Sequence, residues 1–298
     1  MSRKLLKLGM PAALPVRLMK PPVERHTAIL LMVPYILVFF LFVAYPIAYG
    51  VYLASNPSSY VHLFQDPSYF TAVVNTAAIL LIAVNIKLAL ALWISGLFIY
   101  RYVWIRWLAL FFMLPWAIPS LVSILSIRWM LNAEWGMINN IWFWLTGQNG
   151  QQWLLSRTSA LACVIVVHIW RALPFWTLML LAGRLAIPQE LYEAAALDGV
   201  TTWQGFRYVT FPALRGLYLT CTVLSTVWTL GDFNTVYLLT DGGPGVATQV
   251  LATLGFRYAF QMNDLQTATA TVATALPLLV PLLIILVIRL RRERVVFQ

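Results

Sequence analysis

Six stretches of this chain stay apolar long enough to cross a bilayer, at roughly 28–53, 70–100, 107–131, 159–183, 213–240 and 265–289. A spanning helix needs about 20 mostly apolar residues. Several of these runs are longer, which leaves room for tilt or interfacial ends. Polar residues gather in the intervals between them. The interval 132–158 is long, polar and rich in Trp, which suits a segment lying at headgroup level or meeting a partner outside. The pattern predicts an all-α integral membrane protein with six transmembrane helices.

Composition agrees and charge adds a direction. Of 298 residues 61% are hydrophobic and only 10% charged, against about 25% charged in soluble domains. The net charge of +10 raises the question of nucleic acid, but the basic residues sit at segment ends. No basic face alternates with stacking aromatics, so nucleic acid is excluded as a partner. Cys163 and Cys221 fall in apolar runs without zinc or disulfide spacing, and no metal site is expected.

Residues 1–27 hold six basic side chains, like the start of a signal peptide. The apolar run that follows is too long for one and lacks a small-residue cleavage site, so an uncleaved first span is expected. With the N-terminus inside, the segments 1–27, 101–106 and 184–215 and the chain end from 289 carry fifteen of the twenty basic residues. That asymmetry predicts cytoplasmic N- and C-termini. The domain reading is a basic segment at 1–27, a six-helix membrane domain over 28–289 and a basic tail at 290–298.

The charge rule makes 184–215 a cytoplasmic loop between helices 4 and 5, and its local code is legible. Pro188 suits a first helical position, with Glu190 and Glu193 near the positive end of the helix dipole. Leu191, Ala194 and Ala195 share a shallow face. Asp198-Gly199 ends the helix, with Gly199 free to turn left-handed. Thr201 and Gln204 have capping-box spacing and open a second short helix, which Phe211-Pro212 should end. Spacing alone fits an interfacial connector equally well.

The whole string resembles a known signature. Leu191-Tyr192-Glu193-Ala194-Ala195, Asp198-Gly199, Trp203-Gln204, Phe206 and Thr210–Leu214 look like the EAA loop of permease subunits in binding-protein-dependent ATP-binding-cassette (ABC) importers. Val200 and Phe211 depart mildly from it. The segment Phe233–Pro244, Pro115-Trp116, Gly136–Asn139, Trp170-Arg171 and Pro174-Phe175 resemble the sugar branch of that family, the maltose and glycerol-phosphate type.

The resemblance implies coupling helices that dock on a separate dimeric ATPase, with Glu193, Ala194, Ala195, Asp198, Gly199 and Gln204 as contact or shaping residues. It also implies a homologous second permease subunit, an extracytoplasmic substrate-binding protein and a place in the bacterial cytoplasmic (inner) membrane. ATP and Mg would be bound by the partner ATPase. This chain has no GxxxxGK[ST] string, and Gly242-Gly243 reads as a tight turn. No catalytic residue and no cofactor of its own are expected.

Polar groups inside a bilayer are expensive and so become candidates for function. His168, Arg171 and Phe175 share a helical face on helix 4, as do Ser225, Trp228, Thr229 and Asp232 on helix 5. By the resemblance these are substrate-pathway positions for a sugar or sugar derivative, neutral or anionic. Arg171 and Asp232 either neutralise each other, or Arg171 reads an anionic group on the substrate. Lys87 is given no role, and Asn75 and Asn85 read as interhelical hydrogen-bonders.

Two other classes compete. A secondary transporter or channel independent of ATP would show inverted repeats, which the sequence lacks, and would leave the capped loop unexplained. An intramembrane enzyme would need titratable groups at one depth, and the histidines at 26, 62 and 168 are scattered.

Overall fold

A computed structural model describes residues 25–288, apart from 101, 278, 282, 285 and 286. Most of the predicted basic segment 1–27 and all of the tail 290–298 lie outside the described residues. Those described are helical, with no strand among them. The chain divides into two compact units at Gly50. The first holds α1 (Arg25–Phe39), a π-helical turn (Phe40–Ala44) and the start of α2 (Tyr45–Ala54). Leu30–Ala54 is long and apolar enough to cross a membrane, as the first predicted span requires.

The second unit starts with two capped helices, α3 (Pro57–Gln65) and α4 (Pro67–Leu97). Asn56 and Asp66 accept from the backbone N–H groups of Ser58 and Ser68, and Pro57 and Pro67 open the helices. Next come α5 (Val103–Phe112), α6 (Leu114–Ala117), α7 (Ser120–Met130), α8 (Met137–Thr146) and α9 (Arg157–Leu185). Pro67–Leu97 and Arg157–Leu185 are again long and apolar enough to span, in register with predicted helices 2 and 4.

The third predicted span, 107–131, is corrected. Val103–Ala117 and Ser120–Met130 meet at a bend of 97°. Pro119 forces Ile118 out of the helical region, to φ −75° and ψ 136°.

The core is centred on α4 and α9, which pack along each other. The buried positions of α4 repeat at helical spacing, from Ala72 and Thr76 through Ile79, Ala83, Lys87 and Ala91 to Ser95. Ala72, Ala83 and Ala91 let neighbouring backbones approach. Gly183 does the same on α9, where an added Cβ would lie 2.3 Å from Leu217 Cδ2.

The loop helices α10 (Gln189–Leu197) and α11 (Thr202–Gly205) follow. A π-helical turn (Phe206–Thr210) then leads into α12 (Phe211–Leu230). Phe211-Pro212 was expected to end the second loop helix, but it does not. The π turn accommodates the proline, with the Phe211 N–H donating five residues back to the Phe206 carbonyl. The fifth predicted span, 213–240, is also divided. It breaks at Gly231-Asp232, and α13 (Phe233–Thr240) restarts with Asp232 as its N-cap. The tight turn expected at Gly242-Gly243 is present, with Asp241 and Gly242 at φ 53° and 79°.

Two elements had no sequence expectation besides α3: α14 (Leu251–Phe256) and the π turn after it (Arg257–Gln261). Leu251, Leu254 and Tyr258 bury against Leu63, Tyr69 and Ala72. The last element with a defined range is α15 (Leu265–Ala273), the start of the sixth predicted span.

A hydrogen bond from the Tyr258 hydroxyl to Asp66 Oδ2 joins the two connecting segments. Burial alone would raise the Asp66 pKa. Hydrogen bonds from Tyr258 and Ser68 and the charge of Arg257 outweigh it and hold the carboxyl below its ordinary value. A depressed folded-state pKa stabilises above the unfolded value, and the contribution disappears as pH falls through the folded one. The melting temperature in detergent should therefore decline below about pH 4, and Tyr258→Phe should make that acid limb shallower. An unchanged acid limb would remove Asp66 from the account.

Candidate functional site

The break at Gly231-Asp232 exposes helix ends inside the core, and the polar side chains of α4, α9 and α12 converge there. Lys87 on α4 is 1% exposed, yet it has polar partners. Its ammonium lies 3.1 Å from His168 Nε2 and 3.3 Å from Thr229 Oγ1, and 5.9 Å from the centre of the Trp176 ring. His168 Nδ1 lies 2.6 Å from Asp232 Oδ2. An ammonium can only donate, so the network assigns the lone pair of His168 to Nε2 and the proton to Nδ1. The series runs Lys87 to His168 to Asp232, a compensated chain of charges. Asp232 Oδ1 also accepts from the Thr235 backbone N–H, and Oδ2 from the Thr235 hydroxyl.

Beside this chain opens a cavity of about 270 Å³. Lys87, His168, Arg171, Thr229 and Asp232 give it a polar wall, and Trp116, Phe175 and Trp228 an aromatic one. Phe175 sits at the centre of the aromatic group, 5.7 Å from Trp116 and 5.2 Å from Trp228 between ring centres. Flat apolar faces beside hydrogen-bonding groups suit a ligand with both apolar ring faces and hydroxyls.

Of the seven residues expected on the pathway, six line this cavity: His168, Arg171, Phe175, Trp228, Thr229 and Asp232. Ser225 does not reach it. That side chain is fully buried in the packing of α12, its hydroxyl without a partner. The expected neutralisation of Arg171 by Asp232 is replaced by a pair between His168 and Asp232. Arg171 Nη1 donates instead to Thr235 Oγ1 at 3.2 Å.

The sequence reading missed Lys87 and Trp116 as lining residues. An intramembrane lysine was the available signal, but its partner stands 81 positions away. Asn75 does not bond another helix as expected; it donates to the carbonyls of Ala247 and Gln249 in the turn segment between α13 and α14. Asn85 does not bridge helices; it bonds the Leu81 carbonyl of its own helix.

At the loop, Gly199 stands at φ +71°. Its N–H donates to the Ala196 carbonyl and that of Val200 to the Ala195 carbonyl, the paired bonds of a Schellman end. Thr201 and Gln204 complete the capping box in both directions. Pro188 is the N-cap itself, one position earlier than expected.

Glu193, Ala194, Asp198, Gly199 and Gln204 are exposed, and Ala195 is half-buried. Leu197 is 90% exposed at the end of α10. The loop is anchored from behind. Tyr192 and Thr210 hydroxyls lie 3.0 Å apart, and the Arg184 guanidinium stacks 5.7 Å from the Phe206 ring centre. Arg184 also donates to Ser95 Oγ and the Leu92 carbonyl at the end of α4.

Long apolar helices packed around a polar cavity, with a capped and exposed loop between two of them, define a multi-pass membrane protein. Residues 87–294 match the family described as "binding-protein-dependent transport system inner membrane component", and the chain belongs to that family. It is 30% identical over 283 residues to the sulfoquinovosyl glycerol transport system permease protein SmoG of Agrobacterium fabrum, covering 89% of this chain and 91% of that one. It is 37% identical over 152 residues to the trehalose/maltose transport system permease protein MalF of Thermococcus litoralis. That match spans about half of each chain, 51%. In fold it is similar to a chain of a bacterial ABC transporter involved in the import of the acidic polysaccharide alginate. The TM-score is 0.75 at 23% identity, over 93% of this chain and 98% of that one.

Proposed function

We propose that this chain is the permease subunit of an ATP-driven ABC importer and forms part of the path by which a sugar or sugar derivative crosses the bacterial inner membrane. It is a transport subunit and carries out no covalent chemistry. The observation that carries the reading is the exposed loop 188–205. In a family defined by binding-protein-dependent transport, this loop runs without a break through the π turn into α12. A push on the loop is thereby delivered along α12 to the break at Gly231-Asp232, where α13 begins.

The full arrangement is six spans with both termini in the cytoplasm, so that 184–215 faces a dimeric ATPase. Residues 1–27 and 290–298 are basic cytoplasmic segments flanking the domain. ATP and Mg belong to the ATPase. Closure of its dimer draws the loops together through Glu193, Ala194, Ala195, Asp198, Gly199 and Gln204. The movement tilts the helices and turns the cavity from one side of the membrane to the other. A binding protein outside delivers the sugar, and a homologous permease completes the path. Phe175, Trp228 and Trp116 supply ring platforms, while His168, Arg171, Thr229 and Asp232 address hydroxyls. Sugar specificity is supported by the relatives' names and by this pairing of aromatic and polar walls.

Affinity purification of the tagged chain from its native membrane tests the reading. An ABC ATPase subunit and a second permease should copurify. Cysteine at position 193 should form a crosslink to the ATPase that changes on adding ATP. A chain that purifies alone, with cysteine 193 freely labelled from the aqueous phase under all conditions, would remove the coupling role.

A further inference from the structure

The charges around the cavity do not balance. Asp232 is committed on both oxygens to His168 and Thr235, and through His168 it compensates Lys87. Arg171 has no carboxylate within ion-pair distance among the described residues. Its hydrogen bond is to Thr235 Oγ1, and its Nε is buried without a partner. With His168 neutral, the wall holds two cations and one anion, and the uncompensated cation is the guanidinium beside Trp116, Phe175 and Trp228. An unbalanced charge inside a membrane protein is costly, and a neutral sugar would leave this one unanswered.

We propose that the ligand of this cavity is a carbohydrate bearing an anionic oxygen group, whether carboxylate, sulfonate or phosphate, and that Arg171 is the residue that reads its charge. The inference rests on the cavity being a sugar pathway. Both Arg171 and Lys87 line the cavity, but Arg171 suits the task better because no carboxylate among the described residues pairs with it, whereas the Lys87 ammonium is engaged by His168 and Thr229 and compensated by Asp232 through His168. The planar guanidinium fork matches two oxygens of one anionic group, a geometry an ammonium does not offer. The aromatic wall then holds the ring while the fork fixes its charged substituent. Asp232 repels such a ligand less than a free carboxylate would, because Lys87 compensates its charge through His168.

The test uses the whole transporter, with its ATPase and binding protein, in inverted-control and right-side-out membrane vesicles. The labelled probes are neutral mono- and disaccharides and their uronate, 6-sulfonate and 6-phosphate counterparts, which separates the three anionic chemistries. Wild type should take up at least one anionic series in preference to its neutral partner. Arg171→Gln should lower that uptake about ten- to a hundred-fold, the range expected for a lost charge-assisted contact. The amount of assembled complex should be unchanged, and uptake of neutral sugar should fall by a clearly smaller factor than uptake of the anionic probe.

Arg171→Lys should restore part of the loss. If Arg171→Gln fails to assemble, the lysine variant replaces it, with KM raised more for the anionic probe than for its neutral partner. Preference for neutral sugars, or anionic uptake untouched by Arg171→Gln, overturns the inference and leaves the sugar reading standing. If an assembled, ATP-hydrolysing complex carries no probe of either kind, the sugar reading falls and the inference with it.

Discussion

Asp232→Ala should destabilise the purified complex by roughly 3–5 kcal/mol, the range for removing one partner of a buried ion pair. Three losses coincide at this side chain. Lys87 is left with no anion at the far end of the His168 relay. His168 Nδ1–H loses its acceptor, and α13 loses the N-cap that lets it restart after the break. A lost cap alone is worth about 1 kcal/mol.

The measurement is denaturant or thermal unfolding in detergent, and the discriminating variant is Lys87→Met combined with Asp232→Ala. Removing both charges leaves neither Lys87 nor Asp232 without its counterpart, so the double variant should be far less destabilised than the sum of the two single ones. Strict additivity would mean that Lys87 and Asp232 are not coupled.

Gly199→Val should lower ATPase association and transport by more than ten-fold while the permease remains in the membrane at normal levels. The position requires a left-handed backbone at φ +71°, which costs an L-residue about 1–2 kcal/mol and a β-branched one more. Crowding is not the cause, because a Cβ there meets nothing within 4 Å. The strain falls on the turn that fixes α10 relative to α11. The core is untouched, since no residue of α10 is buried. Gly199→Asn, which tolerates that conformation, should retain most of the activity. Equal loss in both variants would point to steric blocking of the docked face instead of its shape.

The contrast between these two sites shows what a linear sequence can express. The loop was legible to the level of single hydrogen bonds, because a Schellman end and a capping box are local codes read over four or five residues. The same holds for the long apolar helices, whose length is a property of one segment. What failed was the continuity of helices through prolines. Pro119 produced a sharp bend where an unbroken span was expected, while Pro212 was absorbed by a π turn where a break was expected. The difference lies in the backbone just before each proline, extended at Ile118 and widened into a π turn at Phe206–Thr210, and the residue pattern around the two prolines did not distinguish them.

The cavity was half legible. Helical spacing placed His168, Arg171 and Phe175 on one face and Trp228, Thr229 and Asp232 on another. It also placed Ser225 there, because spacing along α12 does not reveal that the cavity stops short of that turn. The choice of ion-pair partner was not legible. Arg171 and His168 stand three residues apart on α9, and only the docking of α13 decides which of them meets Asp232. Asn-Pro-Ser at 56–58 and Asp-Pro-Ser at 66–68 were helix-start signals available in the sequence, and they mark α3 and α4.

Reconstitution of the chain with its copurifying subunits into sealed vesicles tests the central claim most directly. Uptake of labelled sugar should require the binding protein on one face and hydrolysable ATP on the other, and should persist when ionophores collapse proton and sodium gradients. Uptake that proceeds without ATP and stops with the ionophores would contradict the account and identify a gradient-driven transporter.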